Sequence, residues 1–137
     1  MIKHRRNTEK NLLTDRILAE IKRQKLEKTP YCVQCGSRNN LQLGHVFSRV
    51  CKSIIFEWDN LHIQCESCNN YHEVNPEPFN NWAKRNIGIE KFNYLEAKSK
   101  QIKKWTVPEL KEKLKRLRCV DERNKRNVET IQGRYAG

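Results

Sequence analysis

The chain has 137 residues, a length that suits one domain, and its 36% apolar content is low for a domain that must build its own core, so a staple is expected. No run of eighteen apolar residues occurs, which excludes a transmembrane helix. No apolar segment follows the basic stretch 1–6, so a soluble cytoplasmic setting is expected and the six cysteines point to metal rather than disulfides.

The net charge of +12 is unevenly placed. Residues 1–28 hold nine Lys/Arg against four Asp/Glu, residues 98–126 hold twelve against four, and residues 31–97 hold six against seven. A neutral centre between cationic arms suits chemistry presented to a polyanion, because Lys and Arg that neutralise phosphates release counterions. Neither arm pairs its charge with a broad Trp/Phe/Leu face, so a membrane surface is not favoured.

In chain order, residues 1–30 form a basic N-terminal helical segment, with a helix over Thr8–Lys28 whose apolar stripe is Leu13, Ile17 and Ile21. Thr29-Pro30 ends it. Residues 31–97 form the central module. It opens with β-prone pieces at Leu41–Phe47 and Asn60–Gln64 around turn-rich Gly36-Ser37-Arg38-Asn39-Asn40, and a helix is expected after Cys68. Asn75-Pro76-Glu77-Pro78 breaks the chain ahead of a short helix from Phe79 to Asn86, closed by Gly88. A further helix is expected over Glu90–Lys104 with Phe92, Leu95, Ile102 and Trp105 buried. Thr106-Val107-Pro108-Glu109 has the form of a capping box opening a helix with the stripe Leu110, Leu114, Leu117. Residues 98–137 make a basic C-terminal arm, fraying after Asn124.

Cys32-Val33-Gln34-Cys35 and Cys65-Glu66-Ser67-Cys68 are two CxxC pairs 29 residues apart. Two such turns complete a tetrahedral sulfur shell for structural Zn²⁺, whereas a redox CxxC needs one pair and a βαβ setting. A closed shell has no open position, so this zinc folds the chain and does no chemistry. Cys51 and Cys119 fall outside the pattern and are expected as buried free thiols.

Gly44-His45, the run Asp59-Asn60-Leu61-His62-Ile63-Gln64-Cys65, Cys68-Asn69-Asn70 and Gly88-Ile89-Glu90 with Leu95-Glu96 carry a resemblance across roughly residues 31–97. They resemble the HNH endonuclease superfamily, and most nearly the lambda NinG/Rap recombination endonuclease family. The resemblance implies an α+β fold, a small zinc-stapled ββα-metal (HNH) core flanked by basic α-helices. It also implies a DNA endonuclease acting on branched recombination intermediates, Holliday junctions or D-loops, in phage recombination.

In that frame His45 is the general base, since a neutral imidazole accepts a proton near cellular pH. Asn60 fixes the turn that aims it, or is simply a turn residue. Asn69 offers an oxygen to catalytic Mg²⁺ or Mn²⁺, although an Asn there also suits a helix cap. The superfamily commonly places a metal-binding Asp before the catalytic His, and Gly44 offers no side chain. The candidates to replace it are His62, then His72, then Glu73; for His62 the bland alternative is a histidine that braces another ligand or fills the core. Phosphate contacts are expected from Lys103, Lys104, Lys111, Lys113, Lys115, Arg116 and Arg118, and a homodimer is expected because junction resolution needs two cuts, with the leucine stripe as one interface. The rival readings are a non-catalytic zinc-ribbon DNA-binding protein, suggested by Gly44, and an HNH nicking enzyme of mobile-element or restriction type.

Overall fold

The computed structural model describes the backbone of residues 8–135 and the side chains of residues 8–126. Among them are five α-helices and one two-stranded sheet, an α+β arrangement. The chain divides into two compact units, residues 1–20 with 106–137, and residues 21–105. These boundaries fall inside the first helix and ahead of the last, where the sequence reading divides at 30 and 97.

In the first unit, α1 (Glu9–Lys28, continuing into the second unit) and α5 (Val107–Tyr135) contribute the buried residues Leu13, Ile17, Leu18, Leu110 and Leu114. The capping box forms: Thr106 Oγ1 accepts from Glu109 N at 3.3 Å, and Glu109 Oε1 accepts from Thr106 N at 3.2 Å. Lys111 pairs with Glu9 at 3.4 Å. Leu110 and Leu114 are buried within the chain, while Leu117, the third member of the stripe, is half-buried. Cys119 is exposed rather than buried, because five residues beyond Leu114 turn it roughly 140° away from the stripe. Cys51 is half-buried. α5 continues past Asn124 to Tyr135, and the side chains from 127 onward lie outside the described residues.

The second unit holds the sheet. Strands β1 (Leu41–His45) and β2 (Leu61–Cys65) pair antiparallel, with Gln42 opposite Gln64, Gly44 opposite His62 and His45 opposite Leu61. All five β2 residues are buried. The chain between the strands makes two short 3-10 turns, Lys52–Ile54 and Trp58–Asn60.

α2 (Glu66–Val74) begins directly at the end of β2, so Cys68 lies inside its first turn instead of preceding it. The reason is local: Cys65 caps the helix, its sulfur accepting from Cys68 N at 3.4 Å. α3 (Glu77–Asn86) and α4 (Ile89–Ser99) follow, separated by Gly88 at φ 94°. Phe79, Ala83, Phe92 and Val46 form a packed cluster with Phe47, Trp82 and Ile87 at its edge.

α4 stops at Ser99, five residues short of the expected end. Ser53 Oγ donates to the Lys98 carbonyl at 2.6 Å and satisfies one of the last carbonyls, so the helix can end there. Ile102 is therefore 93% exposed rather than buried. Trp105 packs edge-on against Phe56 with ring centroids 5.1 Å apart, and its Nε1 donates to the Lys52 carbonyl at 2.8 Å.

Candidate functional site

The two CxxC turns meet. The four sulfur atoms of Cys32, Cys35, Cys65 and Cys68 lie within 4.8 Å of one another, and Cys35 Sγ and Cys65 Sγ are 3.6 Å apart. Metal–sulfur bonds of about 2.3 Å at tetrahedral angles put sulfurs roughly 3.8 Å apart, so the quartet can hold a metal ion such as zinc. The first turn is closed by Gly36 at φ 79°, whose N donates to the Cys32 carbonyl at 2.9 Å.

Electrostatics agree with a cation there. Burial pushes the Cys32 thiol up, but hydrogen bonds from the backbone of Cys35, Cys65 and Gln34 outweigh it and bring it down to about 7. Burial and the three neighbouring sulfurs push Cys68 well above the ordinary thiol value. Four crowded sulfurs cannot all ionise without positive charge among them.

A cleft of about 700 Å³ opens between the end of β1, α2 and the start of α3, and His45, Arg49, Asn69, His72, Glu73 and Asn80 line it. His45, half-buried, ends β1 on the wall of this cleft. Its ring is hydrogen-bonded to the Ile55 backbone, while Nε2 is buried without a partner, so the bond falls on Nδ1 and the bare nitrogen is Nε2. Burial and the nearby Arg49 charge lower its pKa to about 4 against the opposing Ile55 bond, and the imidazole is neutral at pH 7.

His72 repeats the pattern. Its Nε2–H donates to the Val46 carbonyl at 2.9 Å, which leaves Nδ1 as the bare nitrogen, buried and without a partner. Phe79 packs edge-on against this ring at 4.8 Å and holds its orientation. Asn69 Nδ2 donates to Gln42 Oε1 at 2.8 Å, which commits the amide nitrogen and leaves its oxygen as the donor atom for a cation. Asn80 Oδ1 is also buried without a partner. Glu73 lines the cleft but is exposed.

Asn60 is fully buried and does not line this cleft. Its Oδ1 accepts from Phe47 N at 2.8 Å, and its Nδ2 donates to the carbonyls of Phe47 and Ile54, each at 3.2 Å. It thereby ties the chain leaving β1 to the segment whose next residue, Ile55, orients His45.

His62 is not in this cleft. It lies opposite Gly44 on the other face of the hairpin from His45, in a separate pocket with Lys25, Tyr31 and Trp82. Its Nε2–H donates to the Asp59 carbonyl at 2.6 Å, and Trp82 packs against it at 4.8 Å. Burial and Lys25 bring its pKa down to about 4. Of the three candidates to replace the missing Asp, the structure groups His72 and Glu73 with His45 and Asn69 and leaves His62 outside, because strand alternation turns positions 62 and 45 to opposite faces.

Among the residues offered for phosphate contacts, Lys104, Lys111, Lys115, Arg116 and Arg118 are exposed; Lys103 and Lys113 are half-buried. Lys103 sits over the Trp105 ring at 4.8 Å, and Arg116 pairs with Glu112 at 3.1 Å. Sequence reasoning missed Arg49 and Asn80 in the cleft. Neither belongs to a spacing motif, and only the turn after β1 and the Pro76 break bring them in. No helix among the described residues is long and apolar enough to cross a membrane.

Compared with known proteins, the chain matches no curated protein and no solved structure. It does match the family model described as Bacteriophage Lambda NinG protein, over residues 1–127. That match takes in both CxxC pairs, the cleft and nearly all of the described chain, and the protein belongs to the NinG family.

Proposed function

We propose that the protein is a metal-dependent DNA endonuclease of the HNH type, acting on branched recombination intermediates such as Holliday junctions and D-loops in phage recombination. The observation that carries this reading is that three residues with a buried, unpartnered polar atom, His45 (Nε2), His72 (Nδ1) and Asn80 (Oδ1), line the one cleft that Asn69 also lines. Such atoms cost free energy when left unpaired, and binding sites are where that cost is retained. The order β1, β2, α2, with His45 ending the first strand, Asn60 ahead of the second and Asn69 in the helix, fits a ββα-metal core, and membership of the NinG family supports it.

In this reading the cysteine quartet takes structural Zn²⁺. Asn69 Oδ1 and His72 Nδ1 would hold the catalytic cation, with His72 taking the place of the absent Asp at position 44. The Val46 carbonyl holds the His72 ring as outer partners hold metal-bound histidines. Mg²⁺ or Mn²⁺ bound there supplies positive charge for the pentacoordinate phosphate and the leaving oxygen. His45 Nε2 takes the proton of the attacking water, and the Ile55 bond keeps that nitrogen bare. Arg49 and the exposed lysines grip phosphate oxygens. Two opposed cuts call for two copies of the chain.

One observation favours a non-catalytic DNA-binding protein instead: the space beside Gly44 is taken by the Gln64 side chain, which would have to move before a carboxylate could fit there. Cleavage of supercoiled plasmid, linear duplex and a synthetic four-way junction with Mg²⁺ or Mn²⁺ decides. The wild type should cut the junction, and His45→Ala should cut it about 10²–10⁴-fold more slowly with zinc content and DNA binding retained. No cleavage of any DNA, with binding retained, supports the binder. Preference for linear duplex establishes the mobile-element or restriction type of nicking enzyme.

A further inference from the structure

Val50 is 78% exposed and Ile102 93% exposed, and both line one shallow depression of about 290 Å³ in the second unit. Lys52, Lys100 and Lys103 line the same depression, with no carboxylate among its lining residues. A single exposed isoleucine on a surface is ordinary. Two exposed apolar side chains from segments about fifty residues apart, lining one depression together with three lysines, are a different matter.

The two segments are fixed from behind. Trp105 Nε1 donates to the Lys52 carbonyl at 2.8 Å, Phe56 packs on the Trp105 ring at 5.1 Å, and Ser53 Oγ holds the Lys98 carbonyl at 2.6 Å. The two segments are thus tied to the unit beneath them, while the apolar side chains of Val50 and Ile102 stay exposed. Their place is informative as well: Ser48 and Arg49 line the His45 cleft, and the next residue, Val50, already belongs to the depression.

We infer that Val50 and Ile102 form an apolar wedge that enters DNA between unstacked bases beside the phosphate held in the His45 cleft, with Lys52, Lys100 and Lys103 on the flanking phosphates. The location of that phosphate rests on the endonuclease reading; the wedge itself rests on exposure and charge. Inserting apolar side chains at a base step costs least where stacking is already broken, since an intact step must first be unstacked, and lysines around them supply the attraction to the backbone. The device selects DNA with a branch, bulge or gap next to the cleft over continuous duplex, because continuous duplex must first be unstacked.

The test measures binding of the full chain in buffer without added Mg²⁺ or Mn²⁺, so that nothing depends on cleavage. The probes are a linear duplex, a bulged duplex and a four-way junction, each with 2-aminopurine at the central or branch position. Wild type should bind the bulged and junction probes more tightly and raise 2-aminopurine fluorescence. Val50→Ser/Ile102→Ser should lower affinity for the branched probes about tenfold or more, remove the fluorescence rise and leave duplex affinity unchanged. Lys52→Gln/Lys100→Gln should instead weaken all probes in parallel and lessen the salt dependence.

The inference is overturned if wild type shows no preference for branched DNA. It is equally overturned if the double serine variant keeps that preference, loses duplex and branched binding together, or changes only the oligomeric state. A protein that cuts no DNA but shows the binding pattern would remove the endonuclease reading and leave the wedge standing.

Discussion

The side chain of Gln64 lies across the backbone of Gly44: a Cβ built at position 44 would run into Gln64 Oε1. Gln64 is fully buried, and its Nε2 donates to Gln34 Oε1 at 2.6 Å, so it has little room to withdraw. Gly44 is therefore favoured by packing, and the metal-binding Asp common in the HNH superfamily would fit at this position only if Gln64 on the paired strand were displaced.

Gly44→Asp should accordingly destabilise the fold by about 1–3 kcal/mol, as overpacked cores do, and add no cation affinity. Gly44→Asp with Gln64→Ala should recover part of the loss. Thermal unfolding of the three variants measures this, and a Gly44→Asp protein as stable as wild type would refute the packing argument.

Replacing the quartet should be far more severe. Cys32→Ser or Cys68→Ala removes a ligand from a closed shell, and the lost metal-binding energy is folding energy. Elemental analysis should find about one zinc per wild-type chain and little in the variants, with their circular dichroism and proteolysis showing an unfolded second unit. Native folding of fully chelated wild type would contradict it.

The half-buried His72 and the buried His62 should separate by function. His72→Ala should weaken Mn²⁺ binding about 10–100-fold by calorimetry, whereas His62→Phe, which keeps the packing against Phe79 and Trp82, should leave Mn²⁺ binding and cleavage unchanged. Equal loss in both would mean that position 62 shapes the cleft indirectly.

Acid sensitivity follows from the same residues. The folded-state pKa values of His45 and His62 are both about 4, below the ordinary 6.5, so the unfolded chain binds more protons between those values. Stability contributed by keeping these rings neutral is fully present above about pH 6.5 and is lost as pH falls toward 4. His62→Phe should flatten that limb of the stability curve relative to wild type. Identical slopes in denaturant unfolding from pH 7 to pH 4.5 would show that His62 does not titrate this way.

On α5, changing Lys111, Lys115, Arg116 and Arg118 to Gln should weaken DNA binding and lower the magnitude of the log K against log[salt] slope by about 0.9 for each phosphate no longer neutralised. An unchanged slope would place this helix away from DNA.

Much of this was legible in the sequence because it is short-range. The CxxC spacing determines which sulfurs meet, the Thr106–Glu109 box opens α5, and the Leu13–Ile17–Ile21 and Leu110–Leu114 stripes are buried. Strand alternation would also have turned His62 away from His45 had the register been known, but Gly44 opposite His62 is a property of the pairing, and no spacing within one strand reveals it. The end of α4 was missed for a similar reason, since the hydroxyl that satisfies it comes from Ser53, forty-five residues earlier. Asn80 and Arg49 reach the cleft through tertiary packing alone.

Cys65 has three duties at once: it ends β2, its sulfur joins the quartet, and that same sulfur caps α2. The stretch from Cys65 to Asn69 is consequently closed to insertion and deletion. One residue more or fewer would swing Asn69 and His72 about 100° around the helix axis while the sulfur at Cys65 stayed where it is. Length variation among relatives should therefore collect in the stretch between His45 and Trp58 and be absent between Cys65 and His72, and a designed single-residue insertion after Ser67 should cost the protein its cleft as surely as losing a cysteine.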